Sequence, residues 1–218
     1  PLGCPLIALY RDRLVLAGNP KHVWYMSRQG DPNDWDYFAD ATDPGRALFG
    51  LIESAGTPGD EITALIPGSD DYLIIGGRDS LWIMRGDPAQ GGQLDAIERS
   101  NGIYGPESWC YGSKGEIYYL SRDGLYMLPP GGTALPQAIS RDKIPTELLT
   151  AADTFDWDQG PMLEYDAAHR GIHIFYPTNT SGLDSDDSTG HFWVDLDSYG
   201  FWPMTLNKGL APFATCRA

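Results

Sequence analysis

Cysteine is scarce in this chain. Cys4, Cys110 and Cys216 are three in 218 residues, an odd count without metal-type or redox spacing. That excludes a disulfide scaffold and points to reduced thiols in a protein assembled inside a cell. Cations are scarce as well: 15 Lys and Arg stand against 30 Asp and Glu, a net charge of −15. Gripping nucleic acid requires cations that displace the phosphate counterions, so that class is set aside. The plain use of the excess acid is solubility. No apolar run is long enough to cross a membrane, and no window sustains a 3.6-residue apolar period. No signal peptide is visible, and the opening "PLGCPL" lacks Met, as a fragment or processed piece would.

What is present is turn chemistry and aromatic residues: 26 Gly, 17 Pro, and 12% Phe, Trp and Tyr within 42% hydrophobic content. That mixture suits many short strands joined by turns. The stretch "DYLIIGGRDSLWIM" is a hairpin pattern, with Tyr72 to Ile75 going out and Leu81 to Met84 returning. Gly76 and Gly77 are expected to supply turn conformations between them. The outgoing strand, Leu73 to Gly77, has counterparts at Leu14 to Gly18, Ile117 to Ser121 and Ile172 to Tyr176. The returning strand has counterparts at Val23 to Met26, Leu125 to Leu128 and Phe192 to Val194, with an aromatic at Trp24, Trp82, Tyr126 and Trp193.

A strand precedes each hairpin, at Leu6 to Leu9, Ile62 to Leu65, Trp109 to Tyr111 and Met162 to Tyr165. A fourth follows, around Trp35 to Phe38, Leu94 to Ile97, Gln137 to Ile139 and Phe201 to Met204. The units repeat at spacings of about 59, 44 and 55 residues, in the range of four-stranded propeller blades. A sandwich also has many short strands, but no reason to repeat a four-strand unit with an aromatic at one fixed place.

The expected fold is all-β and β-propeller-like, one domain over 1–218 with about four blade units of four antiparallel strands. The units fall at about 1–45, 58–100, 103–140 and 155–206, as part of a larger or incomplete propeller. Leu73, Ile75, Trp82, Ile117, Tyr119 and Ile174 are expected to fill the space between blades. One short helix is expected near 144–152, with Pro145 in its first turn.

Chemistry is sparse. Asp184, Asp186 and Asp187 in "LDSDDSTG" have the composition of a calcium loop, but EF-hand spacing is absent and a solvated acidic loop is the simpler reading. Asp31, Asp34 and Asp36 read as turn residues around Pro32. Asp156, Asp158 and Glu164 are the carboxylates from which a glycoside hydrolase would have to be built, although nothing fixes their separation. "SRDG", Ser121 to Gly124, has part of a sialidase Asp-box but reads as a hairpin turn. Of the four histidines, His22, His169, His173 and His191, the last two fall on facing strands and are expected to approach each other. Zinc there would need further ligands, for which no spacing is recognisable. No catalytic residue, metal or cofactor is expected.

The serial order of segments adds a resemblance. "YRDRLVLAG", "VWYMSRQGDPNDWDY", "EITALIP", "DYLIIGGRDSLWIM", "NGIYGPESW" and "GEIYYLSRDGLYML" follow one another. This resembles the propeller region of short-tailed phage tail proteins: the nozzle, or tail tubular protein B, and related tail-hub proteins known as packaged-DNA stabilisation factors. The matching positions are Arg13, Leu14, Ala17, Gly18, Trp24, Ser27, Gly30, Asp31, Pro32 and Trp35. The likeness covers roughly residues 6–140 and extends more loosely through "GHFWVDLDSYGFWPM". The chain is shorter than a whole nozzle protein and lacks the assembly platform of such proteins.

The resemblance implies a non-enzymatic architectural role in a virion tail assembled in the host cytoplasm. Its implied partners are further copies in a homo-oligomeric ring, other tail or portal-proximal proteins and, at the tail tip, the host surface, without membrane insertion. DNA would pass through the ring without being gripped, because a negative lumen repels phosphates. The competing readings are a carbohydrate- or receptor-binding propeller, drawing on seven Trp and twelve Tyr, and a propeller-fold glycoside hydrolase.

Overall fold

The computed structural model describes residues 1–140, 143–146, 148, 160–177 and 189–205. Within them the chain is all-β and propeller-like. Four sheets of four antiparallel strands each run in chain order. The chain divides into two compact units, Pro1–Ile103 and Tyr104–Ala218, each carrying two sheets. No helix among the described residues is long and apolar enough to cross a membrane.

The first sheet comprises β1 (Leu6–Tyr10), β2 (Arg13–Ala17), β3 (Trp24–Met26) and β4 (Leu48–Phe49). The second comprises β5 (Ile62–Gly68), β6 (Tyr72–Gly77), β7 (Leu81–Arg85) and β8 (Gln93–Glu98). In the other unit, β9 (Trp109–Tyr111), β10 (Ile117–Ser121), β11 (Gly124–Leu128) and β12 (Gln137–Ala138) make the third sheet. The fourth comprises β13 (Met162–Asp166), β14 (Gly171–Pro177), β15 (Thr189–Asp195) and β16 (Gly200–Pro203).

Strand alternation gives every sheet two faces, and the units stack them by one rule. In the first sheet Ala17 lies between Leu6 and Trp24, and Val15 between Ala8 and Met26. This face, called A here, packs in one core with Leu65, Leu73, Ile75 and Met84 of the second sheet. Those residues form the opposite face, B, in register positions equivalent to Ile7, Leu14 and Leu16 of the first sheet. The third and fourth sheets do the same. Tyr118, Leu120 and Leu125 on face A of the third share a core with Leu163, Ile172 and Ile174 on face B of the fourth.

Of the expected interblade residues, Leu73, Ile75 and Ile174 lie in these cores and Trp82 packs partly buried against one, while Ile117 and Tyr119 are buried outside both.

Three expectations need correction. The fourth strand of the first sheet is Leu48–Phe49, not the region of Trp35 to Phe38, so that blade runs to 49. The reason lies in the intervening aspartates. Asp31, Asp34, Asp36, Asp40 and Asp43 each accept a backbone N–H from two residues ahead. These Asx-turns satisfy the backbone locally and leave it no ladder to join.

Gly76 and Gly77 also differ from expectation. Both lie within β6, and the turn is Arg78 to Ser80. Both are small because other groups approach closely: a Cβ on Gly76 would lie 2.7 Å from Ile103, and one on Gly77 would lie 2.6 Å from Asp60 Oδ2 and 2.7 Å from Ser80 Oγ. A turn that does need positive φ is Arg11-Asp12, at +52° and +56°, the pattern of a two-residue type I′ hairpin loop.

The third correction concerns the repeated aromatic, which is not at one fixed place. Trp24 pairs with Ala17, Trp82 with Ile75, Tyr126 with Tyr119 and Trp193 with His173, so the four occupy both faces. Packing demands bulk on each returning strand, but each interface sets its own position. Of the expected 144–152 helix, residues 144–146 and 148 are described, with Leu148 buried in the core of the second unit; the remainder lies outside the described residues.

Candidate functional site

Face A of the fourth sheet departs from the apolar rule. The pairing Glu164↔His173↔Trp193↔Trp202 crosses all four strands, and Met162↔Phe175↔His191 runs beside it. Face B of this sheet is aliphatic and aromatic, so the polar residues are segregated by the two-residue period of the strands.

His173 and His191 meet as expected, with Nδ1 of the first 2.8 Å from Nε2 of the second. They are diagonal neighbours, because Phe175 stands directly opposite His191. Phe175 stacks on the His191 ring with centroids 4.4 Å apart, and Trp193 lies 4.8 Å from His173. One ring donates an N–H and the other accepts, so the pair requires at least one neutral imidazole. Nδ1 of His191 is buried and has no hydrogen-bond partner among the described residues.

Burial pushes the His191 pKa down from 6.5 to about 4, with the neighbouring His173 acting in the same sense. Burial also lowers the His173 value, partly opposed by Asp166 and Glu164 and assisted by His169. His169 itself is exposed and pairs with Asp166 at 2.7 Å.

The sign of the resulting pH dependence is fixed. Above the ordinary histidine range both folded and unfolded chains are neutral here. Between about 6.5 and about 4 the unfolded chain takes up protons that this face refuses, so stability falls on acidification. The unfolding midpoint is expected to drop from pH 7 to 4.5, and His191→Gln is expected to flatten part of that slope. Thermal melts of both proteins across this range check it; equal slopes would contradict it.

Chemically, the face can hold a proton or offer rings for contact. Among the described residues no group of three or more His, Cys, Asp or Glu is placed to hold a metal ion. Asp184, Asp186 and Asp187 lie outside the described residues, as do Asp156 and Asp158; Glu164 lies opposite His173. Asp31, Asp34 and Asp36 are the turn residues they read as, and Ser121 and Gly124 close a tight hairpin. His22 is exposed, Cys4 is a free thiol and Cys110 is buried.

Sequence reasoning missed a second polar centre. Arg13, fully buried, donates Nε to Asp87 Oδ2 at 3.1 Å, with Nη2 3.0 Å from the same oxygen. Its other hydrogen bonds go to the carbonyls of Ser27 (2.9 Å), Gly45 (3.3 Å), Arg46 (2.6 Å) and Pro44 (2.9 Å). Asp87 also accepts Ala89 N–H, capping a 3-10 turn at Pro88–Gln90. The cluster thus ties the first sheet, its long loop and the end of β7 together. A repeated Gly-Asp-Pro, at Gly30-Asp31-Pro32 and Gly86-Asp87-Pro88 after successive returning strands, was the available signal.

Comparison with known proteins adds little. No family model matches the chain. No curated protein matches it either. Among solved structures it is similar to a structural genomics protein of unknown function from Bacteroides thetaiotaomicron, at 10% identity and a TM-score of 0.48. The match takes in 90% of this chain and spans 42% of the other. At that distance the likeness says nothing of function.

Proposed function

We propose that this chain is a non-enzymatic structural component of a short-tailed phage tail, of the nozzle or hub type, and helps form the channel for DNA ejection. The observation that supports this most is where the resemblance-bearing residues sit. Arg13 and Trp24 are buried, Ser27 Oγ accepts the Leu14 N–H, and Gly30 N–H donates to the Asp12 carbonyl. The positions that carry the resemblance thus combine buried framework, at Arg13, Ala17, Trp24 and Ser27, with an exposed turn at Gly30-Asp31-Pro32, as a subunit that keeps its fold and presents loops to neighbours would. The net charge of −15 suits a surface past which DNA moves without adhering. Implied partners are further copies of this chain in a ring and neighbouring tail proteins.

Negative-stain electron microscopy of the purified protein, with a mobility-shift assay on a short duplex at low salt, tests the reading. Rings with an axial opening and no shifted duplex are expected. Tight duplex binding would overturn the channel role, and a glycan-binding monomer would favour the receptor-binding alternative.

A further inference from the structure

We infer that the first and fourth sheets carry the two halves of one contact between copies: face B of the first sheet on one copy receives face A of the fourth on the next. This rests on the ring reading above and names the surfaces that would build it.

The stacking rule supplies the reason. In both units face A of one sheet covers face B of the following one. Among the described residues, face B of the first sheet has no such cover over the half nearest β1. Ile7 and Leu9 on β1 are each 65% exposed, although their register partners Leu16 and Leu14 continue an apolar face. The second-sheet residues at the positions of Ile7, Leu14 and Leu16 are Leu65, Leu73 and Ile75, all buried under face A of the first. The outer half is covered differently: Tyr37, from the long loop, lies against Tyr25 and Phe49 with centroids 5.9 and 5.6 Å away. The open patch is therefore the part nearest β1, the edge strand of its sheet.

The fourth sheet offers a surface of the opposite type. Its face B is used within its own unit, while on face A Trp202 is 59% exposed beside Trp193. His173 Nδ1 and His191 Nε2 satisfy each other there, and His191 is already buried, so covering the pair costs less. A second copy thus presents an A face to an open B face, which is the pairing already made twice inside the chain. Contact between unlike faces is heterologous and propagates from copy to copy, closing into a ring when the rotation allows.

The test uses the whole chain in three forms: unaltered, Ile7→Glu with Leu9→Glu, and Trp202→Glu. All changed positions are exposed, and a thermal melt verifies that each variant folds. In sedimentation velocity the unaltered chain is expected to assemble, and each variant to dissociate at least tenfold more readily. Mixing the two variants then restores a 1:1 pair and nothing larger, because one intact B face meets one intact A face. Assembly that survives Ile7→Glu/Leu9→Glu overturns the inference while leaving a ring through other surfaces. Loss with the β1 variant alone, and none with Trp202→Glu, overturns it in favour of like-face pairing. An unaltered chain that never assembles overturns this inference and the ring together.

Discussion

Arg13→Met is expected to destabilise the protein by about 3–5 kcal/mol, seen as a lower urea midpoint with the fold otherwise retained. The size follows from what the substitution strands. Asp87 is left as a buried carboxylate, its side chain 3% exposed, and the carbonyls of Ser27, Pro44 and Arg46 lose a charged donor. Desolvating an unpaired charge is the costly half of a buried ion pair. Asp87→Asn should be costly as well: Oδ1 accepts Ala89 N–H and Oδ2 accepts from the guanidinium, and an amide has a single oxygen, so its NH2 group meets one of these donors. Arg13→Met with Asp87→Ala should cost less than the two single changes added, since each single change already breaks the shared contact. Additive costs would show that the pair does not couple the two sheets.

Trp24→Ala is expected to cost a further amount of similar size, about 3–5 kcal/mol, through the cavity it leaves. Trp24 is wholly buried on face A and donates Nε1–H to the Gly56 carbonyl at 2.8 Å. Trp24→Phe retains much of the volume but leaves that carbonyl without its donor, and should cost about 1–3 kcal/mol. Gly50 offers a control. A Cβ there would stand 2.7 Å from Trp24 Nε1 and 2.9 Å from Thr57 Cγ2, so Gly50→Ala should be more harmful in the unaltered protein than beside Trp24→Ala, where only the Thr57 contact remains. Equal effects in both backgrounds would mean that the indole does not set the space at residue 50. Denaturant melts of the four proteins give the answer.

The legible part of the fold was the part governed by period-2 alternation. Three strands of every blade were placed from runs such as Leu14 to Ala17 and Ile172 to Tyr176, because one buried face forces the pattern. The fourth strand of the first blade was not legible. Trp35 to Phe38 has the right residue types, but Asp34 and Asp36 hold its backbone in turns, and that competition is won by local hydrogen bonds. Gly76 and Gly77 misled for a related reason: glycine serves both positive φ and close approach, and only the approach of Ile103, Asp60 and Ser80 reveals which applies.

The histidine contact was legible because both residues fell on paired strands, and a diagonal across a hairpin is within ring reach. The Arg13–Asp87 pair was not, since the repeated Gly-Asp-Pro marks only its Asp87 side and the partner comes from a different sheet. Arg13 reads as an ordinary polar hairpin residue until Tyr10 and Val15 are seen to be buried on the same face.

The central claim is that this is a building block rather than a solitary binder or enzyme. Light scattering of the purified chain across a concentration series tests it most directly. One discrete mass, a fixed multiple of 23.9 kDa that persists on dilution, is the predicted result. A mass of 23.9 kDa at every concentration would contradict it.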